Sequence, residues 1–326
     1  MGSVIAQACL RDSYTDWKLG YIYATAGMVN ALTPSIGAMI GGSIMKYYSW
    51  HYVFIFLFYY SICSISLYIL YLPETNRNII GFNKNKNSNN HFLMITFSML
   101  KDSFIVKRAM IIGLYNGILY SFLMQAPFIF QKGFNINIMT YGKMFIILTI
   151  SNITGGSINR YLSKKLYKPS DIISYGIKFS LLGAISMIAL AYAYKYSFFE
   201  NIFNINLFTT NIKGTIVTNK YIILFGHNVE YNIFIVILLF SCYAFHLIGH
   251  TLIVPNILKD ALKDYNKIIG SAGSVLGTLY YMVTSLITFI FSTLYSDSIF
   301  IFSHIIFSIA ILAMLLIKNI KERGEL

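Results

Sequence analysis

Eight long apolar runs dominate the chain, at residues 19–45, 51–72, 109–130, 141–161, 171–194, 232–254, 268–293 and 297–317, each bounded by charge, Asn, Gly or Pro. A bilayer core about 30 Å thick takes about 20 mostly apolar residues at a helical rise of about 1.5 Å each. Every run meets that length. Only 11% of the 326 residues are charged and the mean hydropathy is +0.63, whereas soluble globular chains carry about 25% charged residues. The apolar load excludes a disordered chain, and three cysteines, Cys9, Cys63 and Cys242, make no disulfide framework in a chain this long. The expected class is an all-α membrane protein with about eight full spans. Residues 2–10 are apolar too, but reach only about 14 Å as a helix. With neither a basic leader nor an adequate apolar core they are no signal peptide, and they read as the last turns of a helix whose beginning is absent.

The net charge of +13 reads as topology. Cytoplasmic loops of membrane proteins retain Lys and Arg, and these charges are scattered between apolar runs with no basic face to hold nucleic acid. With residues 11–18, 73–108, 162–170, 255–267 and the tail after 317 placed inside, and Arg160 and Lys178 at inner helix ends, the cytoplasmic side holds 19 of the 25 basic residues. The outer side holds six: Lys46, Lys132, Lys143, Lys195, Lys213 and Lys220. The C-terminus is therefore expected in the cytoplasm. Heavy use of Ile, Asn, Lys, Tyr and Phe over Arg is the drift of an AT-rich bacterial genome, which makes the expected location a bacterial inner membrane.

Two long connections divide the spans. Residues 1–72 form an N-terminal helical part, 73–108 a polar cytoplasmic linker, 109–317 a six-helix C-terminal half, and 318–326 a cytoplasmic tail. The outer loop 195–231 contains Thr-Ile-Val-Thr-Asn-Lys-Tyr-Ile-Ile-Leu, whose β-branched residues and central Thr-Asn-Lys predict a small hairpin.

Several segments together resemble the major facilitator superfamily, and within it the bicyclomycin-resistance type of drug:proton antiporter. Ala6 to Asp12, ending Arg11-Asp12, resembles the close of that family's fourth helix. Thr33-Pro34-Ser35-Ile36-Gly37-Ala38-Met39-Ile40-Gly41-Gly42 resembles its fifth-helix antiporter motif, with Ala38 where the second proline stands. Leu72-Pro73-Glu74-Thr75 resembles the end of the sixth helix and Gln125-Ala126-Pro127-Phe128 the seventh. Gly155-Gly156 with Arg160, Lys164 and Lys165 resembles the basic turn after the eighth; Pro255-Asn256 and Gly270-Ser271-Ala272-Gly273-Ser274 resemble the end of the tenth and the start of the eleventh. The resemblance implies a secondary-active multidrug efflux carrier working by alternating access on small amphipathic drug-like substrates, with protons as coupling ion and no cofactor. It also implies twelve helices in two halves, of which this chain lacks the first three. A separately encoded N-terminal fragment then becomes an expected partner, and a non-functional or split remnant the alternative function.

Ionisable groups inside a membrane are functional candidates by default, yet all 12 carboxylates lie in loops or at span ends. The resembling family carries its coupling carboxylate on the absent N-terminal helices. His246 and His250 remain, one turn apart and so on one face of their span. They are placed to titrate, to bind substrate, to share a metal with Cys242 as a thin third ligand, or simply to hydrogen-bond neighbouring helices; no metal site is assigned. Asn116, Tyr120, Gln125, Asn152 and Tyr280 are the other candidates for a polar and aromatic substrate cavity. Gly37-x-x-x-Gly41 and Gly273-x-x-x-Gly277 allow close helix approach, and Pro34 and Pro127 free backbone carbonyls and bend their helices. Arg11, Asp12, Arg160, Lys164 and Lys165 are candidate gating turns at the cytoplasmic face. The string Lys259-Asp260, Lys263-Asp264, Lys267 reads as a solvated, internally paired helix turn. No Gly-x-x-x-x-Gly-Lys-Ser/Thr loop is present, so ATP-driven export has no support. A membrane enzyme such as a lipid-linked glycosyltransferase needs paired acids near the membrane surface; Glu230 and Asp297 stand alone, so no enzymatic activity is assigned.

Overall fold

In the computed structural model the described residues are 9–10, 13–14, 16–71, 96–196, 206–212, 215–224, 227–262, 265, 269–294 and 299–322. Eight long helices stand among them where the apolar runs lie: α1 (Asp16–Tyr47), α2 (His51–Tyr71), α3 (Ser103–Pro127), α4 (Ile138–Lys164), α5 (Pro169–Lys195), α6 (Tyr231–Ala261), α7 (Ile269–Thr293) and α8 (Ile299–Glu322). Among the described residues the six helices other than α1 and α4 are long and apolar enough to cross a membrane. α1 and α4 are the helices rich in Thr, Ser, Asn and Gly, and they pack along one another.

Helix ends follow local chemistry. α3 begins at Ser103, earlier than the expected 109, because the Asp102 side chain accepts from Phe104 N at 2.9 Å and caps the first turn. After Pro127 the hydrogen-bonding widens into a π-turn over Phe128–Gly133, as a ring that removes an N–H and crowds the preceding turn would require. Asn137 caps α4 by accepting from Met139 N, and Pro169 opens α5 at its first turn. The expected hairpin is instead a three-stranded antiparallel sheet: β1 (Asn206–Ile212), β2 (Thr215–Leu224) and β3 (His227–Glu230). The register pairs Ile212 with Thr215 and Leu224 with His227, which leaves Thr218-Asn219-Lys220 inside β2 rather than at a turn. The polar triplet therefore marks no turn.

The core lies among α3 to α8, with α6 at its centre against α3, α4 and α5. Phe122 stacks on Tyr243 with ring centroids 3.7 Å apart, and Phe130, Phe240 and Phe302 close around the pair. Lipid tails are as apolar as these side chains, so helices associate in a membrane through close packing and interhelical hydrogen bonds. Two glycine contacts show it. A methyl group at Gly117 on α3 would stand 2.6 Å from Ile287 on α7, with Gly113 one turn earlier equally tight against Val283; a methyl at Gly183 on α5 would meet the backbone of His246 and, at 2.9 Å, the Cys242 carbonyl. By contrast, no described atom lies within 4 Å of a methyl placed at Gly37 or Gly41. The spacing singled out on α1 is not where helices come closest.

The start of α3 and the end of α6 are joined by charge. Arg108 is 1% exposed and donates from Nε at 2.8 Å and Nη2 at 2.5 Å to Oδ2 of Asp260. Its guanidinium lies 3.3 Å from the Phe104 ring centroid, and Nη1 donates to the Phe104 carbonyl. Asp260 therefore does not belong to a solvated turn paired within its own helix. It is the counter-ion of a buried arginine 152 residues away. The Tyr265 hydroxyl completes this end by donating to Asp102 Oδ2 at 2.9 Å.

Two outcomes follow from this packing. Gly183→Ala should cost about 1–3 kcal/mol by overpacking a backbone that cannot yield, read as a lower unfolding midpoint in detergent, while Gly41→Ala should leave that midpoint unchanged or slightly raised. Removing one partner of the buried pair, as in Asp260→Leu or Arg108→Met, should cost about 3–5 kcal/mol, and the double variant should recover most of it because the orphaned charge is gone. Equal losses in the single and double variants would show that the pair is not what holds α3 to α6.

Candidate functional site

A polar and aromatic cluster runs through the middle of the C-terminal six helices. His246 is fully buried, with Ser180 Oγ on α5 2.9 Å from its Nδ1. The Tyr115 hydroxyl on α3 hydrogen-bonds the same Ser180, and the Tyr115 ring lies between the two histidines, stacked on His246 at 5.7 Å and edge-on to His250 at 6.4 Å. His250, half-buried, holds Asn116 Oδ1 at 3.1 Å from its Nε2. That oxygen can only accept, so the imidazole Nε2 carries the hydrogen. Tyr243 stacks beneath His246 with centroids 5.7 Å apart. Its hydroxyl and His246 Nε2 are both buried with no hydrogen-bond partner among the described residues.

Asn116 lies on one stripe of α3 with Tyr120 and Met124, which are both 45% exposed. The Tyr120 hydroxyl is close enough to those of Tyr280 and Tyr281 on α7 to interact electrostatically, and the two α7 rings lie 4.5 Å apart. Asn116, His250, Tyr120 and Tyr280 are thus brought toward one partly open face, joined by Tyr281, which sequence reading missed because one tyrosine among 26 carries no signal. The remaining candidates sit in packing. Gln125 is buried and donates from Nε2 to the Phe291 carbonyl at 2.6 Å, tying α3 to α7. Asn152 is buried on α4, and His246 lies in the interior behind His250. His304 caps nothing in the cluster: its Nδ1 is 2.7 Å from the Phe300 carbonyl on its own helix. A separate groove of about 490 Å³ between α7 and α8, lined by Ile287, Phe300, His304 and Ile309 among others, shares no residue with this cluster.

Helix α1 lies antiparallel against α4 along its length. At one end Arg160 donates to the Tyr21 hydroxyl and covers its ring, 4.0 Å from the centroid. In the middle a methyl at Gly142 would lie 3.6 Å from the Ala38 carbonyl, and one at Gly42 would lie 3.8 Å from that of Ile138. At the far end Lys46 Nζ reaches Met139 Sδ at 3.7 Å. Thr33 is exposed and returns its hydroxyl to the Val29 carbonyl; Pro34 is half-buried inside an unbroken helix. Gly37 and Gly41 face away from α4. Lys164 and Lys165 are exposed, the latter over the Tyr161 ring at 4.8 Å. Arg11 and Asp12 lie outside the described residues. Between α4 and α6, Asn256 Nδ2 donates to Asn159 Oδ1 at 3.0 Å while Asn159 Nδ2 donates to the Thr251 carbonyl, a link that apolar periodicity did not expose.

Comparison with known proteins bears on the whole arrangement. The family model described as Major Facilitator Superfamily matches residues 1–209. A protein of Rickettsia bellii named "Uncharacterized transporter" is 34% identical over 300 residues, covering 92% of this chain and 65% of that protein. A namesake from Rickettsia felis is 33% identical over 312 residues, covering 95% of this chain and 68% of its own length. The "Bicyclomycin resistance protein homolog" of Haemophilus influenzae is 23% identical over 164 residues, 49% of this chain and 40% of that protein. The chain spans about two thirds of the length of the two rickettsial relatives. With a family model covering well over half its residues and relatives aligned along nearly all of it, this helical multi-pass membrane chain belongs to the major facilitator superfamily.

Proposed function

We propose that the chain works as, or within, a secondary-active carrier of the bacterial inner membrane that exports small amphipathic, drug-like molecules, proton-coupled and of the bicyclomycin-resistance type. The observation that carries this reading is the α1–α4 seam. α1 and α4 belong to the two sides of the long 73–108 connection, and small residues let their backbones approach at the middle of the pair, around Ala38, Gly42 and Gly142. A seam of this kind permits one helix bundle to rock against the other, which is how alternating access exposes a central site to each side in turn. The open face bearing Asn116, Tyr120, Tyr281 and His250 supplies the aromatic and sparsely polar lining that suits varied apolar ligands. The rickettsial relatives' printed name and the Haemophilus homologue's support the transporter and drug-resistance parts of this reading respectively. Lys and Arg partition as a cytoplasmic C-terminus requires.

A second reading is favoured by one observation. No side chain of α2 is buried, although the helix bears large apolar residues all round, among them Phe54, Phe58, Tyr59 and Ile69. A helix of a working carrier packs at least one face against protein. In the second reading this surface receives a separately encoded helical fragment, and the chain alone is an inactive remnant. Reconstituted vesicles separate the two. Under the first reading, dye export collapses when the proton gradient is dissipated, and a disulfide between Ala38→Cys and Gly142→Cys, in a chain freed of its three native cysteines, stops export until reduced. Export that appears only when a second polypeptide is supplied would establish the split form, and export indifferent to the cross-link would remove the rocking seam.

A further inference from the structure

We propose that His250 is the proton-binding group of the C-terminal helices, taking the proton at Nδ1 while Nε2–H stays on Asn116; this rests on the reading of the chain as a proton-coupled carrier. The described carboxylates occupy helix ends: Asp16 opens α1, Asp102 caps α3, Asp171 lies in the first turn of α5, Glu230 caps α6, Asp260 is held by Arg108 and Glu322 closes α8. Among the described residues the middle of the bundle therefore holds two imidazoles, several tyrosines and the Cys242 thiol as its titratable groups.

Geometry separates the two histidines. His246 is sealed among Tyr115, Ser180 and Tyr243, with no exposed surface. His250 is half-buried and bonded to Asn116, which lies one turn from exposed Tyr120, so it is the imidazole nearer the surface of the bundle. Because Asn116 Oδ1 fixes the hydrogen on Nε2, the lone pair of neutral His250 is on Nδ1. Uptake there converts hydronium and imidazole into water and imidazolium, without breaking the Asn116 bond, which becomes charge-assisted and stronger. The titratable groups facing His250 are Tyr115 from α3 and His246 from its own helix; no carboxylate, Lys or Arg among the described residues is paired with it. Like-charge repulsion opposes a second proton on His246, so the pair takes one proton as a unit.

The full chain in lipid nanodiscs, with its six histidines labelled with 15N in the ring, tests this by NMR without any need for transport. His250→Gln identifies the signal. Followed from about pH 8 down to about pH 3, the wild-type ring should pass from neutral to charged. Asn116→Asp places a carboxylate against Nε2 and should raise the midpoint by about one pH unit or more. Should His250→Gln fail to fold, the one signal whose midpoint moves in Asn116→Asp makes the assignment instead. A ring that stays neutral throughout this range, or a midpoint unmoved by Asn116→Asp, overturns the proposal. Vesicles that export nothing would sink the carrier reading alone, since they leave the ring titration as it is.

Discussion

Helix α6 can sit at the centre of this bundle because α5 presents it with almost no side chain. At Gly183 the two backbones are too close for even a methyl group, and the same economy recurs at Gly113 and Gly117 where α3 meets α7. In a lipid environment, where burying a leucine against protein gains little over burying it in acyl chains, such contacts replace the hydrophobic drive that folds soluble bundles. They bring backbones near enough for short side chains to bridge them. Ser180 reaches His246 only because the helices beside it are separated by a glycine's thickness.

That closeness organises the polar interior. Each buried amide or hydroxyl that crosses a helix boundary joins two particular elements: Gln125 joins α3 to α7, Asn159 and Asn256 join α4 to α6, Ser180 joins α5 to α6, and Asn116 with His250 joins α3 to α6. An unpaired polar group away from water is costly, so each bond fixes a helix's rotation as well as its neighbour. Against this background the Nε2 of His246 and the hydroxyl of Tyr243, without a partner among the described residues, stand out as unspent hydrogen-bonding capacity next to the face that opens at Asn116. Where α3 begins, a full charge pair, Arg108 with Asp260, does the same job more strongly. It clamps the portion of α6 beyond Pro255 to the start of α3.

The six helices α3 to α8 form a core that closes on itself, whereas α1 meets them along α4 and α2 carries its apolar surface outward on every side. Where α1 and α4 meet, Ala38, Gly42 and Gly142 keep the side chains between them short.

From its amino acids alone the chain declared its class, the positions of its eight helices and the scarcity of acid in its membrane-embedded part, because length, apolarity and charge are properties that each segment carries by itself. The sequence also marked His246 and His250 as a pair on one helix face. It did not reveal that one of them is sealed and the other bonded to Asn116, that Asp260 answers a buried Arg108 rather than its own neighbours, that Gly113 and Gly117 rather than Gly37 and Gly41 mark the tight crossing, or that the outer loop pairs three strands. Each of those depends on which surface of one segment meets which surface of another, far away in the chain. Periodicity identifies a face, but only assembled helices decide what that face touches.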